Sequence, residues 1–208
     1  MKTRIVLSLL LLVSTVSHAK AAFVQAADLS GNVQGALGQP ANTTLGFSFT
    51  VGVLPTTINA LALDSGTGFV ATPMSVHIWQ AGTSTDVAQT NVSNLDPLSL
   101  DGRYYYAAIP PVTLLANTTY DIGVDLPFFN QGAMFGGTVV SDPRISVNGG
   151  ISGPSGSFPT ADNNHIGVGP LFGPTFGIGV PEPSTLALTG LGLVSLGFVA
   201  LRKKYCRA

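Results

Sequence analysis

Phe47-Ser48-Phe49-Thr50-Val51 is the stretch whose reading decides the fold. Large apolar side chains at 47, 49 and 51 alternate with hydroxyl side chains at 48 and 50. Side chains on a strand point to opposite faces in turn, so a period of two sets one face on a core and leaves the other half-exposed. Leu54-Pro55 ends the run, because proline has no N–H to give to a ladder. No stretch between Phe23 and Val180 keeps the 3.6-residue period of a helix over three turns.

The same punctuation repeats outward from this strand. Ile58 to Leu63 is the next apolar run, and Asp64-Ser65-Gly66-Thr67-Gly68 reads as a turn. Met74-Ser75-Val76-His77-Ile78-Trp79 alternates again, with His77 on the face opposite Val76 and Ile78. Val87 to Val92 is a weak strand and Tyr104 to Ile109 a stronger one. Thr113-Leu114-Leu115 leads to a turn at Asn117, and Tyr120 to Val124 forms another strand. Phe23 to Pro40 reads as a first strand or loop. Pro127 to Gly156 reads as loop-rich, with brief strands at Met134 to Val140 and Ile145 to Val147. Gly173 to Ile178 would close the domain. Short strands about 10 residues apart, separated by turns, predict an all-β fold, an antiparallel β-sandwich or jelly-roll-like domain over residues 22–179. Cys206 is the single cysteine, so no intrachain disulfide is possible. Roughly 150 residues bury enough surface to be stable without one.

Only 9% of the chain is charged, against a usual value of about 25%. Between Ala21 and Val180 the bases are Arg103 and Arg144 alone, while the acids are nine aspartates, a balance of −7. Such a surface repels phosphate backbones, which argues against nucleic acid as a partner, and it disfavours adhesion to anionic lipid.

The other bases mark the two ends. Lys2 and Arg4 precede a short apolar run from Ile5 to Val16, and small residues at Ser17, Ala19 and Ala21 suit signal peptidase. Residues 1–21 are therefore expected to be a signal peptide, cut after Ala19 or Ala21. At the other end come Pro181, Glu182 and Pro183, an apolar run from Leu186 to Leu201, and the basic residues Arg202, Lys203, Lys204 and Arg207. A helix over about 184–201 would rise roughly 27 Å at 1.5 Å per residue, close to the ~30 Å hydrocarbon core. Basic residues stay on the cytoplasmic side, so everything before this helix would lie outside the cytoplasm. The plain alternative is a permanent C-terminal anchor.

With Pro-Glu-Pro, helix and basic tail at 202–208 in this order, residues 180–208 resemble the PEP-CTERM sorting signal of bacterial envelope proteins. That resemblance implies cleavage near Pro181-Glu182-Pro183 by a membrane-embedded exosortase. It also implies a host that makes exopolysaccharide, and a place in the cell envelope, extracellular matrix or biofilm after an inner-membrane intermediate. Gly46 to Val51, His77-Ile78-Trp79 and Pro111 to Tyr120 further resemble an all-β domain of secreted bacterial proteins that often accompanies such a tail. The matching positions are those a sandwich uses for packing and turns.

Catalytic and metal chemistry is sparse. His77 and His165 have no His or Cys neighbour at zinc-ligand spacing. Asp121, Asp125 and Asp162 are weak calcium candidates, since calcium takes loop oxygens, but no twelve-residue calcium loop is present and Asp also favours turns. Gly153-Pro154-Ser155-Gly156-Ser157 is out of register with a Gly-x-Ser-x-Gly elbow. No catalytic residue and no cofactor is expected. For ligand binding the candidates are Trp79, Tyr104, Tyr105 and Tyr106, whose rings could stack on sugars if exposed; core and edge packing is the bland alternative. The reading is a non-enzymatic exported protein with exopolysaccharide as a possible partner, against a surface-displayed carbohydrate- or calcium-binding module.

Overall fold

The computed structural model describes residues 23–30, 34–38, 42–65, 73–126, 132–135, 138–155, 158–159, 161–162 and 173–179. The signal peptide, the Pro-Glu-Pro motif, the membrane helix and the basic tail expected from sequence lie outside them. Phe23–Gly179 is one compact unit, and every regular element described in it is a strand. These are β1 (Phe23–Gln25), β2 (Ala27–Ser30), β3 (Gln34–Gly38), β4 (Thr43–Val51), β5 (Thr56–Asp64), β6 (Met74–Gln80) and β7 (Asp86–Val92). They continue with β8 (Tyr104–Leu114), β9 (Thr119–Leu126), β10 (Gly132–Phe135), β11 (Thr138–Ser141), β12 (Ile145–Pro154), β13 (Ala161–Asp162) and β14 (Pro174–Gly179).

Two antiparallel sheets carry the architecture. One has six strands in the order β13-β12-β4-β9-β6-β7, the other four in the order β1-β14-β5-β8. Two short pairs, β10-β3 and β11-β2, complete it. The alternation at Phe47, Phe49 and Val51 turns those side chains inward, where each is buried. They join Ile122 and Val124 of β9, Val76 and Ile78 of β6, and Ile58, Leu61, Phe176 and Ile178 of the smaller sheet in one core. The Phe49 ring stands 4.8 Å from Phe176 and 5.9 Å from Tyr120, so aromatic contact bridges the two sheets.

Three stretches differ from the sequence reading. β8 does not end at Ile109 but runs through Pro110-Pro111 to Leu114. It is an edge strand, where a missing N–H is tolerated. The prolines also sit where the register breaks, with Ala108 opposite Ala60 and Val112 opposite Ile58. β12 extends well past Val147, and its pairing with β4 shifts between Val147 and Gly149. Gly149-Gly150 hid it, because glycine weakens any strand signal. The opening stretch resolves into three separate strands.

Turns are set by residues that accept the left-handed region. Asn42 has φ 60° and Asn117 φ 52°, a conformation asparagine tolerates better than most side chains. The turn at Asn117 is pinned further, since the Tyr120 hydroxyl accepts a hydrogen bond from the Leu115 N–H at 2.9 Å. A tyrosine that reaches back along its own chain in this way is a known device of β-sandwich corners.

Candidate functional site

β6 lies between β7 and β9, and His77 and Trp79, two residues apart, share its outward face. The position across from His77 on β9 is Gly123. A Cβ there would stand 2.7 Å from the Thr44 methyl and 3.0 Å from the Trp79 ring. The indole therefore fills the space that glycine leaves. The His77 ring lies parallel to it, at a centroid distance of 5.0 Å and an angle of 3°. Phe158 meets the indole edge-on at 6.1 Å. This outer patch is consequently buried, with His77 7% and Trp79 3% exposed.

Carboxylates bracket the imidazole on both sides. Asp86 Oδ1 is 3.0 Å from Nδ1 and Asp125 Oδ2 is 3.5 Å from Nε2, the second an ion-pair distance rather than a formed hydrogen bond. Asp125 also accepts a 2.5 Å hydrogen bond from the Thr44 hydroxyl. A neutral imidazole has one N–H, so its other nitrogen would present a lone pair to a carboxylate, whereas the imidazolium can donate to both. Burial by itself would lower the His77 pKa, but the two flanking carboxylates, Asp125 and Asp86, together outweigh it and raise the value. Asp121, opposite Trp79 on β9, is also buried. Burial raises its carboxyl pKa against the opposing bond from Ser48. The chemistry this supports is cohesion: His77 ties β6 to β7 and β9 through two carboxylates. Among the described residues no group of three or more His, Cys, Asp or Glu is arranged to hold a metal ion.

A second polar cluster fastens the other sheet. Arg103 Nη1 reaches Asp28 at 2.9 Å, and Nε stands 3.7 Å from Asp64, which is 1% exposed. The Tyr104 hydroxyl donates to Asp28 Oδ1 at 2.9 Å, and the guanidinium lies 5.7 Å from the Tyr104 ring centre. Burial and the adjacent Asp28 push the Tyr104 hydroxyl well above the ordinary tyrosine range. The cluster joins β2 to β5 and β8. The other central arginine, Arg144, is held by Asp142 through Nε at 2.8 Å and Nη2 at 3.0 Å.

The candidates singled out from sequence fall as follows. Trp79, Tyr104 and Tyr106 are in the interior, at 3%, 1% and 4% exposed. A ring so covered has no face to offer a sugar, and the cause is packing: Trp79 covers Gly123, and Tyr104 spends its hydroxyl on Asp28. Tyr105, on the other face of β8, is half-buried. Asp121 and Asp125 share β9 but are engaged differently, one buried, one bonded to Thr44 and beside His77. Asp162 lies in β13 opposite Ile151. Pro181, Glu182, Pro183 and the basic tail residues are outside the described residues. Sequence reasoning missed the Asp86–His77–Asp125 bracket. Half of it was legible, since a hairpin joining the runs at 74–79 and 87–92 brings Asp86 back beside β6. Asp125 arrives from a strand more than forty residues on, with no local signal.

Against known families, residues 179–204 match the PEP-CTERM protein-sorting motif. No curated protein and no solved structure matches the chain. The motif begins on the last residue of β14, and it implies an exported protein with a C-terminal membrane-anchoring sorting signal, targeted to an exosortase.

Proposed function

We propose that this is a non-enzymatic structural protein of the cell envelope or extracellular matrix, delivered by the exosortase route and retained among exopolysaccharide or biofilm polymer. The observation that carries this reading is the sorting motif at residues 179–204, placed directly after the closing strand of an all-β unit. The body before it, residues 22–179, is the delivered part, folded as a β-sandwich. Residues 1–21 are removed by signal peptidase. Residues 180–208 serve as a transient anchor, with a helix at about 184–201 and the tail at 202–208 in the cytoplasm.

The absence of a catalytic role is supported by how the reactive side chains are used. His77 is bracketed by Asp86 and Asp125, Thr44 is bonded to Asp125, and both central arginines are paired with aspartate. A sugar- or calcium-binding module finds little support in buried Trp79, Tyr104 and Tyr106. The intact mass of the protein recovered from producing cells tests the reading. The expected mass lacks about 20 residues at the start and about 25 at the end. A mass that still includes Arg202–Ala208 would turn the tail into a permanent anchor and end the sorting proposal.

A further inference from the structure

The strand registers bring several loops to one end of the domain. β14 leaves the sheet at Gly179, paired with Phe23 of β1, after Ile178 has paired with Ile58 of β5. Thr56, at the start of β5, pairs with Leu114 at the end of β8. The chain just before Thr56 is Gly52-Val53-Leu54-Pro55, and the chain just after Leu114 begins at Leu115. These two loops are tied together, since the Asn117 N–H donates to the Gly52 carbonyl at 2.9 Å and the Val51 N–H to the Thr118 carbonyl at 3.0 Å. Val53 is 81% exposed, Leu54 71% and Leu115 58%. Three large apolar side chains thus stand in water beside the point where the chain departs for its sorting segment.

Among the described residues, the one arginine at this end is paired. Asp142 and Arg144, next to Gly52 through the bond from its N–H to the Arg144 carbonyl, form their own bidentate pair. Asp86 is engaged by His77. Asp28, Asp64, Asp96 and Asp101 lie toward the opposite end, around Arg103 and the 93–103 loop. Of the aspartates whose side chains are described, Asp28, Asp64, Asp96, Asp101 and Asp125 lie away from the exit end, and Asp86, Asp121 and Asp142 nearer to it.

We infer that this end is a lipid-contacting base: while the C-terminal signal holds the protein in the membrane, Val53, Leu54 and Leu115 enter the bilayer interface. The inference rests on the reading of residues 180–208 as a membrane anchor. Six residues lie between Gly179 and Leu186, where the apolar run starts, a tether of at most about 25 Å at full extension. A tether that short makes the contact intramolecular, and a few apolar side chains suffice where they would not capture a free protein. The base would hold the Pro-Glu-Pro segment close to the membrane surface until cleavage, after which the same side chains let the body go.

The test uses the full chain reconstituted in phosphatidylcholine–phosphatidylglycerol vesicles, with or without lipids brominated near the headgroup. Leu54→Trp reports on the base, and Leu100→Trp, in the opposite loop, is the control. Both replace exposed residues, and the parent supplies the signal of Trp79. The expected result is quenching at Leu54→Trp at least about twofold above that at Leu100→Trp, as for a side chain seated in the interface. Equal quenching in chains that co-float with the vesicles overturns the lipid-contacting base alone. Failure to co-float overturns it together with the anchor. Protection of the tryptophan only when an exosortase is co-reconstituted assigns the surface to that enzyme and overturns the lipid assignment.

Discussion

His77 shows how one side chain can make the domain sensitive to pH. Its pKa is raised above the ordinary 6.5, so the fold favours the proton that lets both ring nitrogens face carboxylates. That contribution is fully present below the unfolded value and is lost as pH rises through the raised folded value. The unfolding midpoint of the domain is expected to fall as pH is taken from about 6 to about 9, and His77→Gln to flatten that slope. Asp101 and Asp142, whose carboxyls are lowered by Ser99 and Arg144 respectively, act only in the acid range and leave this window untouched. A slope that survives His77→Gln would assign the titration elsewhere. Gly46 makes a second claim at this scale. A Cβ on it would stand 1.7 Å from the Ile122 carbonyl oxygen, a backbone atom that cannot swing aside. Gly46→Ala should cost about 3 kcal/mol or more in a urea melt, the upper end of overpacking penalties; a loss under about 1 kcal/mol would mean that β4 and β9 part easily.

Strands were legible where their own side chains carried the signal and obscure where the sheet supplied it. β4 and β6 declared themselves by alternation, and β14 was read as a closing strand at Gly173 to Ile178. β12 did not, because Gly149 and Gly150 bring no β preference and the strand persists through pairing with β4. β8 was cut short at Pro110 because its place at a sheet edge is a property of the tertiary fold. The polar clusters followed the same division: Asp86 is a hairpin away from His77, while Arg103 meets Asp28 and Asp64 across long loops. The β8 edge yields a prediction. Pro110 and Pro111 are exposed and interrupt a row of N–H groups that would otherwise invite another strand. Replacing both by threonine should increase the aggregated fraction in light scattering at equal protein concentration. An unchanged fraction would show that the bulge alone protects the edge.

At the scale of the molecule, the sheet order makes the end of the domain sharp. β14 lies between β1 and β5, and its Phe176 and Ile178 are fully buried. A chain stopped after Gly179 should unfold in one cooperative transition, as seen by circular dichroism. A chain stopped at Gly173 should show no such transition, having lost a central strand and part of the core. A cooperative transition in the shorter chain would demote β14 to an accessory strand. The position of β14 also bears on timing. Among the described strands the ribosome makes β14 last, about 150 residues after the β1 it pairs with, so the β1-β14-β5 part of the smaller sheet waits for nearly all of the domain's synthesis. In an exported chain this order would delay closure of the smaller sheet until the very end of the domain is available.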